Sequence, residues 1–123
     1  MRAVRSRDTG PEILVRQLIH RAGYRFRLHR RDLPGTPDIV FPRLGKVIFV
    51  HGCYWHGHAG CEKGRLPRSR VEFWAAKIVA NRHRDRARMR QLRAAGWRPF
   101  VVWQCQLRRP ESLLRRVTRF LEE

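Results

Sequence analysis

The longest strongly apolar run in this chain is VIFV at 47–50. A run of this length is far too short to cross a membrane as a helix. Extended to KVIFV at 46–50, it is typical of a buried central strand. The turn RLG at 43–45 separates it from DIVF at 38–41, a second short strand that begins directly after a proline. The chain is therefore predicted to form its core around these two apolar strands.

The segment DTGPE predicts the beginning of the first helix. Thr9 can act as the N-cap, Pro11 is an early first-turn residue, and Glu12 follows Thr9 by three positions, as in a capping box. Gly23 is suited to the C′ position that ends the helix. The apolar residues between these two ends follow helical spacing: Leu14, Val15, Leu18, Ile19 and Ala22.

The remaining elements complete a mixed α/β pattern. Alternating apolar and basic residues predict a half-buried strand at 24–28. A long helix is expected at 71–95, a further strand at 99–103, and an amphipathic closing helix from Pro110. We expect the inward-facing residues of the long helix and last strand to be Phe73, Trp74, Ile78, Met89, Leu92, Trp97 and Trp103. The order helix, three strands, helix, strand, helix predicts a single α/β domain over 1–123, with helices flanking a mixed sheet.

The charge of the chain restricts the partners that it can bind. Lys and Arg number 28 against 10 Asp and Glu, which gives a formal net charge of +18. Such a body attracts polyanions, so nucleic acid is the first expected partner and an anionic membrane surface the second. A merely soluble basic protein is the remaining alternative. The N-terminal MRAVRSRDTG has no apolar region of a secretory signal, so we expect a cytoplasmic, nucleoid-associated protein.

The segment HGCYWHGHAGC at 51–61 contains three of the six histidines and two of the three cysteines. In a chain without an export signal, Cys beside His indicates a metal site more often than a disulfide. The spacing suggests Cys53, His58 and Cys61 as ligands, with Cys105 far downstream. Four such ligands suit a structural zinc ion. His51 and His56 are alternative ligands, and unrelated cysteines beside a surface histidine are the other interpretation.

A second candidate site is the carboxylate of Asp38, which follows Pro37 at the beginning of a strand. A carboxylate at a strand edge, beside a hairpin partner that ends in polar groups, can hold Mg²⁺ near a phosphate. The ion can then stabilise charge on the phosphate and help to deliver a water nucleophile. The alternative is a residue with no role beyond beginning a strand.

The motifs TGPE, LPGTPDIVF, HGCYWHGH, EFWAAKI, NRHRD and GWRPFVVWQC follow one another along the chain. PD at 37–38 before an apolar strand is the first half of the PD-(D/E)xK nuclease signature, but the second half is missing because the next strand leads into FVHG. In this order, from about Met1 to Leu107, the motifs resemble the very short patch repair (Vsr-type) DNA mismatch endonucleases. The resemblance implies a restriction-endonuclease-like fold that nicks one strand of duplex DNA 5′ to the thymine of a T:G mismatch.

The resemblance also implies residue roles. Asp38 and the backbone carbonyl of Val50 are expected to hold Mg²⁺, and His56 is expected to be the general acid/base in place of the missing lysine. Imidazole exchanges protons near neutral pH, which suits activation of water. Glu12 and His51 are expected to position water or phosphate, although a capping box and a strand end are their simpler interpretations. The zinc ligands implied are again Cys53, His58, Cys61 and Cys105.

Tyr54, Trp55 and Trp74 correspond to aromatic residues that wedge into the duplex beside the mismatch. A mispaired step is easier to open, and an inserted ring recovers stacking of roughly 1–3 kcal/mol per base. For Trp74 a core position is nearly as well supported. Asn81 and Asp85 share a helix face and are expected to brace the active site, or else to form an ordinary surface pair.

Departures from the family limit what the resemblance carries over. By comparison with the family, we expect almost none of its N-terminal arm around the DNA in this sequence. The loop HAGC sets Cys61 one residue farther from His58, and Gln104 replaces a glutamate. Family members act as monomers with mismatch-repair proteins nearby.

The rival interpretations are another nuclease of the same fold, such as a junction resolvase, and a zinc-containing DNA-binding protein without catalysis.

Overall fold

The structure, a computed structural model, describes residues 10–28, 30–53, 56–58, 61 and 70–123. The helices are α1 (Gly10–Arg21), α2 (Val71–Ala94) and α3 (Pro110–Glu122), and the strands are β1 (Arg27–Leu28), β2 (Ile39–Phe41), β3 (Lys46–His51) and β4 (Arg98–Trp103). A 3₁₀ segment, Gln104–Arg108, connects β4 to α3. This element order confirms the predicted α/β class.

The four strands form one mixed sheet in the order β1-β2-β3-β4. β2 and β3 are an antiparallel hairpin in which Ile39 faces Ile48. β3 and β4 are parallel, and the register sets His51 beside Trp103. A parallel pair requires a long crossover connection, and α2 lies within it. The apolar run KVIFV is therefore the central strand that the sequence predicts.

Helices cover both faces of the sheet because the strand residues alternate between two apolar clusters. The first cluster joins α1 and α3 to one face and contains Val15, Ile19, Ile39, Phe41, Ile48, Val102, Leu113, Val117, Phe120 and Leu121. The second joins α2 to the other face and contains Leu33, Val40, Val47, Phe49 and Leu92. The predicted layers, helices on either side of a mixed sheet, are confirmed.

Lys46 is buried at the beginning of β3 and fixes the end of α3. Its Nζ donates to the carbonyl oxygens of Phe120 at 2.6 Å, Leu121 at 3.1 Å and Glu123 at 3.0 Å. The last carbonyls of a helix lack intrahelical partners and carry partial negative charge, so a buried ammonium group stabilises them. This contact lies at the opposite end of β3 from His51.

Some details differ from the sequence prediction. The strand expected at 24–28 is limited to Arg27–Leu28, and both residues are exposed. Phe73, expected to face inward, is 48% exposed, because the α2 residues that pack against the sheet, Met89 and Leu92, lie near the other end of the helix. Leu14 is also exposed rather than inward. The proposed N-cap Thr9 lies outside the described residues.

Helix α2 otherwise follows the expected pattern. Ile78 and Leu92 are buried, and Met89 packs against the second apolar cluster. No helix among the described residues is long and apolar enough to cross a membrane.

Candidate active site

Three strand ends meet at one edge of the sheet. β2 begins immediately after Asp38, and its antiparallel neighbour β3 ends at His51. β4, parallel to β3, ends at the same edge with Trp103. Polar and aromatic residues from distant parts of the chain are therefore brought together there.

Asp38 is held against the backbone of β3. The Val50 N–H donates to Asp38 Oδ2 at 2.6 Å. Burial, with a smaller contribution from the nearby Glu12, raises the pKa of Asp38 to about 7 against the opposing effects of the Val50 N–H and the Arg16 guanidinium. A buried carboxyl with this pKa is poorly compensated and would be stabilised by a cation.

Glu12 reaches the same edge from α1. Its side chain is buried, with 4% of the residue exposed, and Arg16 Nη2 donates to Glu12 Oε2 at 3.3 Å. Two carboxylates thus converge beside Val50, one from a helix and one from a strand start. The structure brings together Asp38, Glu12 and Val50, as the sequence predicts.

His51 and His56 form a stacked pair. Their ring centroids are 3.8 Å apart and the ring planes differ by 4°. Burial, with a smaller contribution from His56, lowers the pKa of His51 to about 4 against the opposite effect of Asp85. His51 is therefore a neutral imidazole near pH 7.

Asp85 on α2 orients the second imidazole of the pair. His56 Nδ1 and Asp85 Oδ2 are 2.7 Å apart. Burial alone would raise the pKa of Asp85, but the hydrogen bond and charge of His56, with smaller contributions from His51 and Arg88, hold it below its ordinary value. The carboxylate is thus ionised and accepts from Nδ1–H, which leaves Nε2 of His56 as the nitrogen able to take a proton.

Gly57 explains how the loop brings His56 to α2. Its φ is +61°, and a Cβ atom there would lie 2.4 Å from Ile78 Cγ2 and 3.1 Å from Arg82 Cδ. Only glycine combines this backbone conformation with so close an approach. The loop therefore packs directly on α2, one helical turn from Asp85.

The Cys/His cluster lies beside the stacked pair. Ligand atoms of Cys53, His58, Cys61 and Cys105 all lie within 4.8 Å of one another. The Cys105 N–H donates to Cys53 Sγ at 3.4 Å, and Cys105 Sγ is 3.5 Å from His58 Nδ1. Burial, together with hydrogen bonds to the thiols of Cys53 and Cys61, raises the pKa of the Cys105 thiol to about 11. Three sulfurs and one imidazole at these separations fit a tetrahedral zinc ion, whose ligands are about 3.5–4 Å apart.

Trp103 connects the two groups, a position that differs from the predicted core role. Its indole is stacked on His58 at 4.1 Å and meets His51 edge-on at 5.3 Å. The residue is half-buried at the site edge rather than enclosed in either cluster. The apolar strand pattern suggested a core residue because it does not reveal the parallel register that places Trp103 beside His51.

A cavity of about 280 Å³ opens over the stacked pair. Asp85, Arg82, Arg86 and Met89 of α2 line one wall, and Trp103 lines another. Two guanidinium groups one helical turn apart give the cavity a positive rim. No signal in the sequence indicated the position of Arg82 at this rim, which follows from the contact of α2 with Gly57.

The expected DNA-wedging residues are only partly described. Tyr54 and Trp55 lie outside the described residues. Trp74 is half-buried in the first turn of α2, where it meets Phe73 edge-on at 5.1 Å and the Lys77 ammonium at 5.7 Å. Asn81 is half-buried one turn before Asp85.

A buried carboxylate at one strand start and a carboxylate-bound imidazole at the same edge of the sheet, on a strongly basic body, suit the chemistry of a nuclease. Comparisons with known proteins identify its family. Residues 1–63 match the family described as "DNA mismatch endonuclease Vsr". The chain belongs to the Vsr family, and it is a DNA endonuclease.

Named relatives agree with this assignment. The chain is 62% identical over 107 residues to the type II nicking enzyme V.XorIIP of Xanthomonas oryzae pv. oryzae, which covers 87% of this chain and 78% of the relative. It is 43% identical over 113 residues to the DNA mismatch endonuclease Vsr of Escherichia coli K12, covering 92% of this chain and 72% of the relative. It is 37% identical over 123 residues to the type II nicking enzyme V.NmeAIP of Neisseria meningitidis, covering 100% of this chain and 87% of the relative.

Proposed function

We propose that the protein is a Mg²⁺-dependent endonuclease with a restriction-endonuclease-like fold that nicks duplex DNA 5′ to the thymine of a T:G mismatch. The observation that carries the proposal is the meeting of Asp38 and the His56–Asp85 pair at one edge of the sheet. The proposal is also supported by the similarity to a relative whose name includes mismatch endonuclease activity.

Asp38 and the backbone carbonyl of Val50 are the residues that would hold Mg²⁺. The donor chemistry fits, because Mg²⁺ prefers a few protein oxygens and retains several waters. The raised pKa of Asp38 and the adjacent Glu12 indicate a site with excess negative charge. When bound, Mg²⁺ supplies stabilisation of the charge that develops on the scissile phosphate.

His56 is proposed to take the proton of the attacking water through Nε2. Asp85 holds the ring in the required tautomer and stabilises the imidazolium that forms. His51, neutral and fixed by the stack, positions the phosphate or the water, and Glu12 orients water from the α1 side. Adjacent residues of a strand point to opposite faces. Val50 therefore faces the α1 side of the sheet, with Asp38 and Glu12, and His51 faces the α2 side, with His56 and Asp85. A phosphate is proposed to bind at the strand ends, between the two groups.

The zinc ion is assigned a structural role. Cys53, His58, Cys61 and Cys105 connect the loop to the end of β4, which fixes the position of His56. In the chain, Tyr54 and Trp55 stand between Cys53 and His56, so bracing of this loop also braces the two residues proposed to enter the base stack. Trp74 is proposed to contact the opened step from α2. Asn81 is proposed to support Asp85.

The direct test is strand-resolved cleavage of a panel of duplexes with Mg²⁺. The panel contains one T:G duplex, the matched duplexes, the other mismatches and U:G in the same flanking sequence. We expect one nick, 5′ to the mismatched thymine, and at least tenfold slower cutting of matched DNA. Equal cutting of matched and mismatched duplexes would reject the mismatch requirement. The matched duplexes are included because several relatives are named only as nicking enzymes.

Two variants test the assignment of the catalytic carboxylate. Asp38→Ala is expected to bind DNA with its affinity unchanged and to lose nicking. Asp32→Ala is the matched control, since Asp32 is exposed and pairs with Arg30 at 2.6 Å. Nicking by Asp38→Ala at the rate of the Asp32→Ala control would contradict the proposed Mg²⁺ site.

A further inference from the structure

The active-site edge contains a third group of candidate metal-binding atoms, distinct from the Cys/His cluster and from Asp38. One ring nitrogen each of His51 and His56 and a carboxylate oxygen of Asp85 lie within 4.8 Å of one another. We propose that this triad binds a first-row transition-metal ion such as Zn²⁺, and that its occupancy inhibits the nuclease. The inhibitory part rests on the proposed role of His56.

The donor set of the triad selects against the catalytic ion. Two imidazoles and one carboxylate suit Zn²⁺, Co²⁺ and Ni²⁺, whereas Mg²⁺ prefers oxygen ligands. The Cys/His cluster, with three sulfurs, binds Zn²⁺ more tightly than the triad does. The triad therefore fills only after the structural site, at higher free metal concentration.

The geometry requires a small and specific rearrangement. Bonds of about 2.0–2.2 Å separate neighbouring ligand atoms by roughly 3–3.6 Å. The 2.7 Å contact between His56 Nδ1 and Asp85 Oδ2 must widen slightly. Two rings within 4° of parallel cannot both place one ion in their planes, so one ring must turn.

His56 is the ring that can turn. The His56 side chain is 28% exposed and belongs to a loop. His51 is buried, with 6% of the whole residue exposed, and it ends the central strand β3. The cavity of about 280 Å³ gives an ion access to all three ligands. A turned, metal-bound His56 cannot accept the proton of water, which is the basis of the inhibition.

Binding is tested on the zinc-loaded protein with Co²⁺ as the probe. We expect weak d–d absorption in the visible range without the intense thiolate-to-cobalt band, because the triad has no sulfur. Asp85→Asn and His51→Gln should each weaken Co²⁺ binding at least tenfold. Asp38→Ala should bind Co²⁺ as the unchanged protein does, and so should the exposed-site control Asp32→Asn.

Three outcomes would overturn the triad site. They are the absence of Co²⁺ absorption in the zinc-loaded protein, undiminished absorption in both triad variants, and loss of absorption in Asp38→Ala. Circular dichroism of each variant separates loss of a ligand from loss of the fold. These readouts need no DNA, so they stand even if the proposed mismatch activity fails.

Inhibition is tested by titrating Zn²⁺ into nicking reactions at saturating Mg²⁺. We expect inhibition whose midpoint is unchanged when Mg²⁺ is raised tenfold, because the two ions occupy different ligands. Relief of inhibition in proportion to Mg²⁺ would place the inhibitory ion at Asp38 and would contradict the proposal. Chelation of the added Zn²⁺ should restore the initial rate.

Discussion

The indole of Trp103 lies face to face with the imidazole of His58, with ring centroids 4.1 Å apart and planes within 9° of parallel. The same indole meets the stacked His51–His56 pair edge-on. One side chain therefore contacts both the proposed zinc ligand and the proposed general base. Through this contact, the position of the two stacked imidazoles is coupled to the loop that contains the Cys/His cluster.

Replacement of Trp103 should reduce turnover more than DNA binding. We expect Trp103→Leu to lower kcat about tenfold or more with KM changed less than threefold, because a misplacement of roughly 1 Å can cost up to about 100-fold in rate. Trp103→Phe should recover part of kcat, since an aromatic face is retained. Trp97→Phe, in the α2-side cluster, is the control. Zinc content measured for each variant distinguishes loss of positioning from loss of the ion.

Gly57→Ala should destabilise the protein. The added methyl would meet Ile78 Cγ2 at 2.4 Å in a backbone conformation with φ +61°. Strained backbone and overpacking each cost about 1–3 kcal/mol, so we expect a clear fall in the urea midpoint. Gly96→Ala is the matched control, because φ there is +90° and nothing lies within 4 Å of a Cβ. Equal destabilisation by both substitutions would show that the contact with α2 contributes nothing.

Lys46→Met should also destabilise the fold, at the end of the sheet away from the active site. The change removes a buried donor to three carbonyl oxygens of the α3 terminus. Unsatisfied buried acceptors cost about 1–3 kcal/mol each, partly offset by relaxation, so a loss of about 2–4 kcal/mol in the free energy of unfolding is expected. The control is Arg98→Ala, which breaks the exposed pair with Glu123 and should cost less than about 1 kcal/mol. Nicking at a temperature where both variants are folded should be unchanged.

Local patterns in the sequence predicted the secondary structure well. The 3.6-residue periodicity predicted α2 and α3, and the continuous apolar run at 46–50 predicted the central strand, because these elements are defined by which residues they bury. The strand at 24–28 was predicted too long, because alternation alone does not reveal where its ladder with β2 ends. Phe73 was assigned inward for a similar reason, since periodicity does not show which part of a helix packs against the sheet.

The site was predictable where its residues are close in sequence or carry distinctive chemistry. Cys53, His58 and Cys61 occupy one short loop, and the structure brings Cys105 to them. The pairing of His56 with Asp85 joins residues 29 positions apart and depends on the packing of Gly57 against α2. The role of Trp103 depends on the parallel register of two strands separated by that helix. Contacts of this kind are set by tertiary packing and leave no local signal.

Asp38→Asn should stabilise the protein in the absence of added Mg²⁺ while it abolishes nicking. The pKa of Asp38 is about 7 in the folded protein against an ordinary value of 3.8. Between these values the folded state binds more protons than the unfolded state, so the contribution of Asp38 to stability falls as pH rises from about 4 to 7. Asparagine keeps an acceptor for the Val50 N–H but does not ionise. The gain in Tm of the variant should therefore be small near pH 4, increase up to about pH 7 and then remain constant. If Asp38→Asn were instead less stable than the unchanged protein at pH 8, the Asp38 carboxylate would be stabilising rather than poorly compensated. That result would indicate that a cationic side chain of the protein is already paired with it.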